Sequence, residues 1–304
     1  GRGMMTLSES RSSATRLADF LPWAALVAPG IVLNKDGSFQ RTAHFRGPDL
    51  DSAVPAELVG VAGRLNNALR RLGSGWAIFV EAQRQPSSIY PESSFADAAS
   101  ALVDAERKAA FEEEGAHYES AYFLTFLYLP PAWEAAGAER FLYEGCARTE
   151  VADAHEILAG FIDRTDRVLK LLEGFMPESR WLDDGETLTY LHSCISTRRQ
   201  RVRVPEVPMY LDALLADQPL AGGLEPKLGD AHLRVLTIVG FPAATTPGLL
   251  DELNRLAFAY RWSTRAIMLD KTDATRLLTR IRRQWFAKRK SVAAILKEVM
   301  TNEA

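Results

Sequence analysis

The stretch Ala121-Tyr122-Phe123-Leu124-Thr125-Phe126-Leu127-Tyr128-Leu129, closed by Pro130-Pro131, decides how this chain is read. It is too short and too aromatic to be a comfortable helix, so it predicts a central β-strand. Upstream, Trp76-Ala77-Ile78-Phe79-Val80-Glu81 is nearly all apolar between Gly75 and Pro86, which fits a second strand covered on both faces. Earlier still, Gly30-Ile31-Val32-Leu33-Asn34-Lys35-Asp36-Gly37-Ser38-Phe39-Gln40-Arg41 reads as a hairpin folded about an Asp-Gly turn. Between hairpin and strand, Leu58, Val61, Leu65, Ala68, Leu69 and Leu72 keep helical spacing over Ala56 to Leu72, and Gly73 stands at the stop. The Pro- and Ser-rich run from Gln83 to Phe95 predicts a loop. Asp97 to Gly115 predicts an acidic helix whose Glu112-Glu113-Glu114 run is a solvated face.

Downstream of the central strand, Val151, Ala154, Leu158, Phe161, Ile162, Thr165, Val168, Leu169 and Leu172 lie on one stripe, giving the clearest amphipathic helix in the chain. A further helix is predicted from Glu186 to about Ser196. The polar, basic run Thr197-Arg198-Arg199-Gln200-Arg201-Val202-Arg203-Val204-Pro205 then marks a candidate domain boundary. Beyond it come a short helix at Tyr210 to Leu215 and a strand at Leu233 to Gly240. Thr246-Pro247 opens a helix to about Ala259, with Thr at the cap and Pro at the first helical position. A strand at Arg265 to Leu269 and a long helix from about Asp273 to Met300 complete the pattern. The expected fold is thus mixed α/β (α+β): a mixed sheet with amphipathic helices, whose second half is a ferredoxin-like β-α-β-α unit. The expected division is a lead at 1–15, a first α/β subdomain at 16–200 and a second at 205–304. Gly1-Arg2-Gly3 ahead of Met4-Met5 reads as a cloning remnant.

The chain has 304 residues, 47% of them hydrophobic and 25% charged, which excludes disordered and collagen-like classes and supports one large domain or two smaller ones. A net charge of −3 from 36 basic and 39 acidic residues gives no global field to hold a polyanion. Nucleic-acid contact therefore needs a local patch. The uncharged stretch Phe20 to Leu33 is shorter than a bilayer span and contains Pro22 and Pro29, which argues against a transmembrane helix. The opening of the chain has no signal-peptide pattern, and the cysteine usage fits a reducing compartment.

Several long segments carry a resemblance. LPWAALVAPGIVLNKDGSFQRT at 21–42, followed by FRGPDLDS at 45–52, resembles the opening of the TrbE family, the conjugal-transfer members of the VirB-type ATPases of type IV secretion systems. RLNNALRRLGSGW at 64–76, YLDALL at 210–215 and QWFAKRK at 284–290 are similar in the same way. The resemblance implies a cytoplasmic component, peripheral to the bacterial inner membrane, that powers pilus assembly or substrate transfer. It also implies a RecA-like ATPase domain following the region present here, using ATP and magnesium. Its partners would be that domain and other inner-membrane components of the secretion system.

The chain itself departs from an ATPase pattern. A phosphate-cradling loop needs G-x-x-x-x-G-K-[ST], and this sequence contains no Gly-Lys dipeptide. Lys271-Thr272 and Lys290-Ser291 follow Asp270 and Arg289, which cannot make that turn. Ala266-Ile267-Met268-Leu269-Asp270 imitates a Walker B strand, but reads here as a buried strand running into a helix cap. No catalytic residue, cofactor site or metal site is therefore expected within the chain. Cys146 and Cys194 show no zinc spacing, Cys146 reads as a structural thiol first and a nucleophile second, and His44, His117, His155, His192 and His232 form no ligand group. His192 and Cys194, two apart on a helix, point to different faces.

One local charge feature remains. The last helix carries Arg276, Arg280, Arg282, Arg283, Lys288, Arg289, Lys290 and Lys297 against Asp273 and Glu298, and an apolar stripe through Ala274, Leu277, Leu278, Ile281, Trp285, Val292, Ile295, Leu296 and Val299. Arg280, Arg282, Arg283, Lys288, Arg289 and Lys290, with Phe20 and Trp23 near the start, are the candidate partner or lipid contacts. Phe20 and Trp23 read foremost as packing residues. The basic face could meet protein, lipid or DNA, with protein docking the leading reading and a nucleic-acid-binding module the alternative. The stripe is expected to be covered partly by a sheet and partly by a second copy of the chain, through Ile295 and Val299, unless the helix frays after about Ala287.

Overall fold

A computed structural model describes residues 16–49, 52–87, 90, 92–113, 117–131, 148–238, 240, 244 and 249–302, without the side chains of 113, 148–153, 251 and 288–302. After a short helix α1 (Leu17–Phe20), strands β1 (Trp23–Ala28), β2 (Ile31–Asn34) and β3 (Phe39–Arg46) form an antiparallel meander. The Asp-Gly turn is where the sequence puts it: Asp36 accepts from the Ser38 amide at 3.0 Å, and Gly37 supplies φ +82°. Helix α2 (Pro55–Leu69), with proline at its first turn, leads to β4 (Trp76–Ser87). Helix α3 (Ala98–Glu113) connects β4 to β5 (His117–Tyr128). Helix α4 (Arg148–Glu173) precedes β6 (Glu178–Trp181) and α5 (Asp184–Ile195).

The sheet order is β1-β2-β3-β5-β4-β10, where β10 is Tyr260–Ile267, and β6 pairs with β3 beside β2. All described neighbours are antiparallel. The stretch read as a central strand is therefore central: β5 is paired with β3 on one side and along the whole of β4 on the other.

Alternation along these strands sorts the side chains into two cores. Ile31, Leu33, Phe39, Trp76, Ile78, Leu124 and Phe126 face Ala68 of α2, Leu72 beyond it, and Leu158, Phe161, Val168 and Leu172 of α4. The intervening residues Trp23 and Val32 join Leu182, with Leu188, Tyr190 and Leu191 of α5, on the other face. That second core also holds Leu211 and Leu215 of α6 (Leu211–Leu215) and Leu228 of a small three-stranded sheet, β7 (Leu220–Ala221), β8 (Lys227–Leu228) and β9 (Ala231–His232). Gly30 is required where it stands. It has φ +67°, its amide donates to Asp184 at 2.6 Å, and a Cβ there would lie 2.4 Å from the Leu182 carbonyl oxygen.

The mixed α/β class holds, with three corrections. A four-strand arrangement in the spatial order β6-β3-β5-β4 lies in the first half, with chain order β3-α2-β4-α3-β5-α4-β6, and the described residues of the second half do not form the ferredoxin-like unit expected there. Leu233 to Gly240 forms no strand among its described residues: Leu233 packs on the second core, but Val235 and Leu236 are 82% and 94% exposed. The residues Thr246-Pro247 lie outside the described set, and Asp251–Arg255 is a 3₁₀ turn. Secondly, the loop expected from Gln83 begins late, because β5 offers partners through Ser87. Thirdly, β10 pairs with β4 from Tyr260↔Arg84 to Ile267↔Ala77, so the sheet crosses the boundary expected at 198–205. Its residues are half-buried or exposed, which makes it an open edge rather than the buried strand expected at Arg265 to Leu269.

Candidate functional site

The final helix, α7 (Lys271–Asn302), springs from this open edge. Asp270 caps it by accepting from the Asp273 amide at 2.9 Å. Ser74, in the turn before β4, donates to Asp273 at 2.5 Å and accepts from the Asp270 amide at 3.1 Å, pinning the start of the helix to the sheet. The Walker-B-like run thus ends in a helix cap. On the stripe of α7, Ala274 and Leu277, next to the joint, are half-buried, whereas Leu278, Ile281 and Trp285 are between 49% and 65% exposed, so among the described residues any covering stops after the first turns. Arg280, Arg282 and Arg283 are exposed on the helix, and the Arg282 guanidinium lies 5.5 Å from the Phe286 ring. The backbone stays helical through Asn302, past the point of expected fraying, while the side chains of Lys288, Arg289, Lys290, Ile295 and Val299 fall outside the described residues.

The other surface candidates divide. Phe20 is 62% exposed at the end of α1, whereas Trp23 is 7% exposed and belongs to the second core, so it is a packing residue and not a lipid or partner contact.

Sequence reasoning missed a buried polar clasp that fixes β10 to the body. Glu81 of β4 is 7% exposed and ion-paired with Arg261 of β10. Gln83 donates to Glu81 at 2.7 Å and the Tyr190 hydroxyl of α5 donates to it at 3.3 Å. Arg261 also donates to the Ser193 carbonyl at 2.8 Å, to the Ser193 hydroxyl at 3.2 Å and to Cys194 Sγ at 3.2 Å. Three elements thus share one buried carboxylate. Its charge is matched, and burial pushes the Cys194 thiol up to about 12, leaving it protonated at neutral pH. The same burial drives the Tyr190 phenol far upward. Cys146 lies outside the described residues. His192, 2% exposed, sits 3.2 Å from Asp217, and Ser196 at the end of α5 donates to the same carboxylate, in the loop after α6, at 3.2 Å. Among the described residues no group of three or more His, Cys, Asp or Glu could hold a metal ion, and no helix is long and apolar enough to cross a membrane.

The geometry therefore offers a basic helix on an open sheet edge, held by a polar clasp. The family described as Type IV secretion system ATPase VirB4/TrbE, N-terminal domain, matches residues 30–136. The conjugal transfer protein TrbE of Rhizobium radiobacter is 35% identical over 298 residues, which is 93% of this chain and 36% of that protein. The chain thus spans about a third of that relative's length. In Sinorhizobium fredii a probable conjugal transfer protein TrbE is described in two pieces. The first piece is 39% identical over 140 residues, 45% of this chain and 94% of the piece. The second is 40% identical over 100 residues, 33% of this chain and 15% of the piece. On these matches, the chain belongs to the VirB4/TrbE family of type IV secretion system ATPases and carries its amino-terminal domain.

Proposed function

We propose that this region is the noncatalytic docking part of a TrbE-like conjugal-transfer ATPase, joining a RecA-like motor to inner-membrane components of the secretion system on the cytoplasmic side. The carrying observation is the similarity that runs over 93% of the chain while the sequence holds no Gly-Lys pair from which a phosphate loop could be built. In this reading ATP and magnesium act in the remaining length of the full protein. Motion there passes through α7, whose continuous backbone starts at the Ser74–Asp270–Asp273 joint and follows directly on the clasped strand β10. The lever is stiff because its base is tied to the sheet by side-chain and backbone bonds, including Met268 N–H to the Trp76 carbonyl at 2.9 Å.

The catalytic half of this reading has a direct test. Purified chain mixed with magnesium and ATP is expected to release phosphate no faster than a buffer control. Magnesium-dependent turnover that survives further purification, and is lost on a point substitution within these residues, contradicts it.

A further inference from the structure

The chain that leaves α5 returns to the body at α6 along a run, 196–210, that is neither helix nor strand. It is fastened from within. The Thr197 amide donates to Gln218 at 2.8 Å, the Val202 amide to the Thr189 hydroxyl at 3.0 Å, and the Leu214 amide to the Tyr210 carbonyl at 3.1 Å. Val202 packs on the second core, and Leu211, where the run ends, is 1% exposed. The outer side is another matter. Val204, Val207, Met209 and Tyr210 are between 45% and 70% exposed, so a short segment with a fixed backbone holds a cluster of apolar side chains in water. Phe20, the exposed aromatic of α1, belongs to the same corner. Lys35 donates to the Ala18 carbonyl at 3.1 Å and pairs with Asp212 of α6 at 2.7 Å, so one lysine ties the chain beside Phe20 to the chain beside Tyr210. Leu17 and Leu21, on either side of Phe20, share the second core with Leu211 and Leu215.

The charge here is one-sided. Arg198, Arg199, Arg201 and Arg203 are all exposed, and from Thr197 to Leu211 the sequence sets only Glu206 against them. Because Val202 faces the core, extended alternation turns Arg201 and Arg203 outward. These features select what covers the corner. Pro205 and Pro208 carry no N–H, so the run does not serve as a regular strand for the edge of another chain. The same lack leaves fewer backbone donors to strip of water where the run meets lipid. A second copy of the run would set arginine against arginine. An anionic bilayer surface answers both halves of the corner, with phosphate oxygens for the guanidinium groups and an interfacial layer for the tyrosine, phenylalanine, methionine and valine side chains.

We propose that this corner is a lipid contact: Val207, Met209, Tyr210 and Phe20 lie in the interface of an anionic bilayer, and Arg201 and Arg203 meet its phosphate headgroups. Arg198 and Arg199 add to the attracting field. The run rests on the surface without crossing it, as no helix among the described residues is long and apolar enough to span a membrane. The contact rests on the inner-membrane placement proposed above and adds lipid to its partners. Lipid free of protein tests it, so its failure leaves docking on secretion components untouched.

The test is flotation of the 304-residue chain with vesicles of phosphatidylglycerol and phosphatidylcholine in equal parts, against vesicles of phosphatidylcholine alone. The chain is expected to float with the anionic vesicles, less so as salt rises, and to stay behind with the neutral ones. R201Q/R203Q is expected to weaken anionic binding by about tenfold or more, as each arginine near such a surface contributes about fivefold. V207S/M209S is expected to weaken it by about tenfold, through lost apolar contact. R280Q/R282Q/R283Q, on the exposed part of α7, is expected to change it less than either. All of these positions are exposed, so circular dichroism and thermal melting stay as in the parent. A parent chain that ignores anionic vesicles overturns the proposal and leaves the run to a protein partner. So does binding that is lost in the α7 variant and kept in R201Q/R203Q, which puts the lipid contact on α7. Binding that V207S/M209S leaves intact does the same, because no side chain of the run then enters the interface.

Discussion

Replacing Arg261 with methionine will destabilise the folded chain by about 3 kcal/mol, since the Glu81 carboxylate then stays buried without its cation. Gln83 and Tyr190 would still donate to it, but neither carries charge. The drop corresponds to a melting temperature lower by roughly 5 °C in a chain of this size. Because Arg261 bridges β10 to α5 through Ser193 and Cys194, β10 and the root of α7 should exchange amide hydrogens faster than β3 or β5 in the variant. The double variant E81M/R261M should recover most of the loss, as apolar replacements of both partners remove the buried charge together. If the single variant melts with the parent, the clasp does not hold the strand.

The second large effect lies in the first core. Phe161 of α4 is 1% exposed and stacks between Phe39 of β3, at 5.7 Å between ring centroids, and Trp76 of β4, at 5.6 Å. Phe161→Ala removes a ring from a closed aromatic stack and is expected to cost about 3–5 kcal/mol, through lost burial and the cavity left behind. Phe161→Leu fills most of that space and should cost clearly less. Urea unfolding separates them: the midpoint should fall for both, further for alanine than for leucine, with an unchanged slope. Equal losses for the two variants would mean that the stack is not packed as described.

The sequence is legible where a local pattern carries its own burial. The aromatic run ending in two prolines, the Asp-Gly turn and the nine-member stripe of α4 each contain the reason for their structure within a short window. What was missed depends on partners far away. Strand β1 hides in an apolar stretch bracketed by Pro22 and Pro29, and it is defined by its pairing with β2. Strand β6 is only Glu-Ser-Arg-Trp, without an apolar pattern, and exists because β3 has a free edge beyond β2. The reverse error has the same cause: the run after Leu233, whose amide donates to the Pro226 carbonyl, has the composition of a strand but pairs with no strand among the described residues, so propensity alone does not make one. At the site, the basic charge of α7 could be read directly. The Glu81–Arg261 pair could not, since 180 residues separate its members and each looks like an ordinary strand charge.

The docking role is tested most directly by competition in a conjugating donor cell. The 304-residue chain is produced in increasing excess over a full-length TrbE carrying the same amino-terminal domain, and both the membrane-bound fraction of the full-length protein and the transfer frequency are measured. If this region attaches the motor to inner-membrane components, the free chain occupies those sites, and both quantities fall together as its amount rises. A folded, abundant chain that leaves both the membrane-bound fraction and the transfer frequency unchanged contradicts the account.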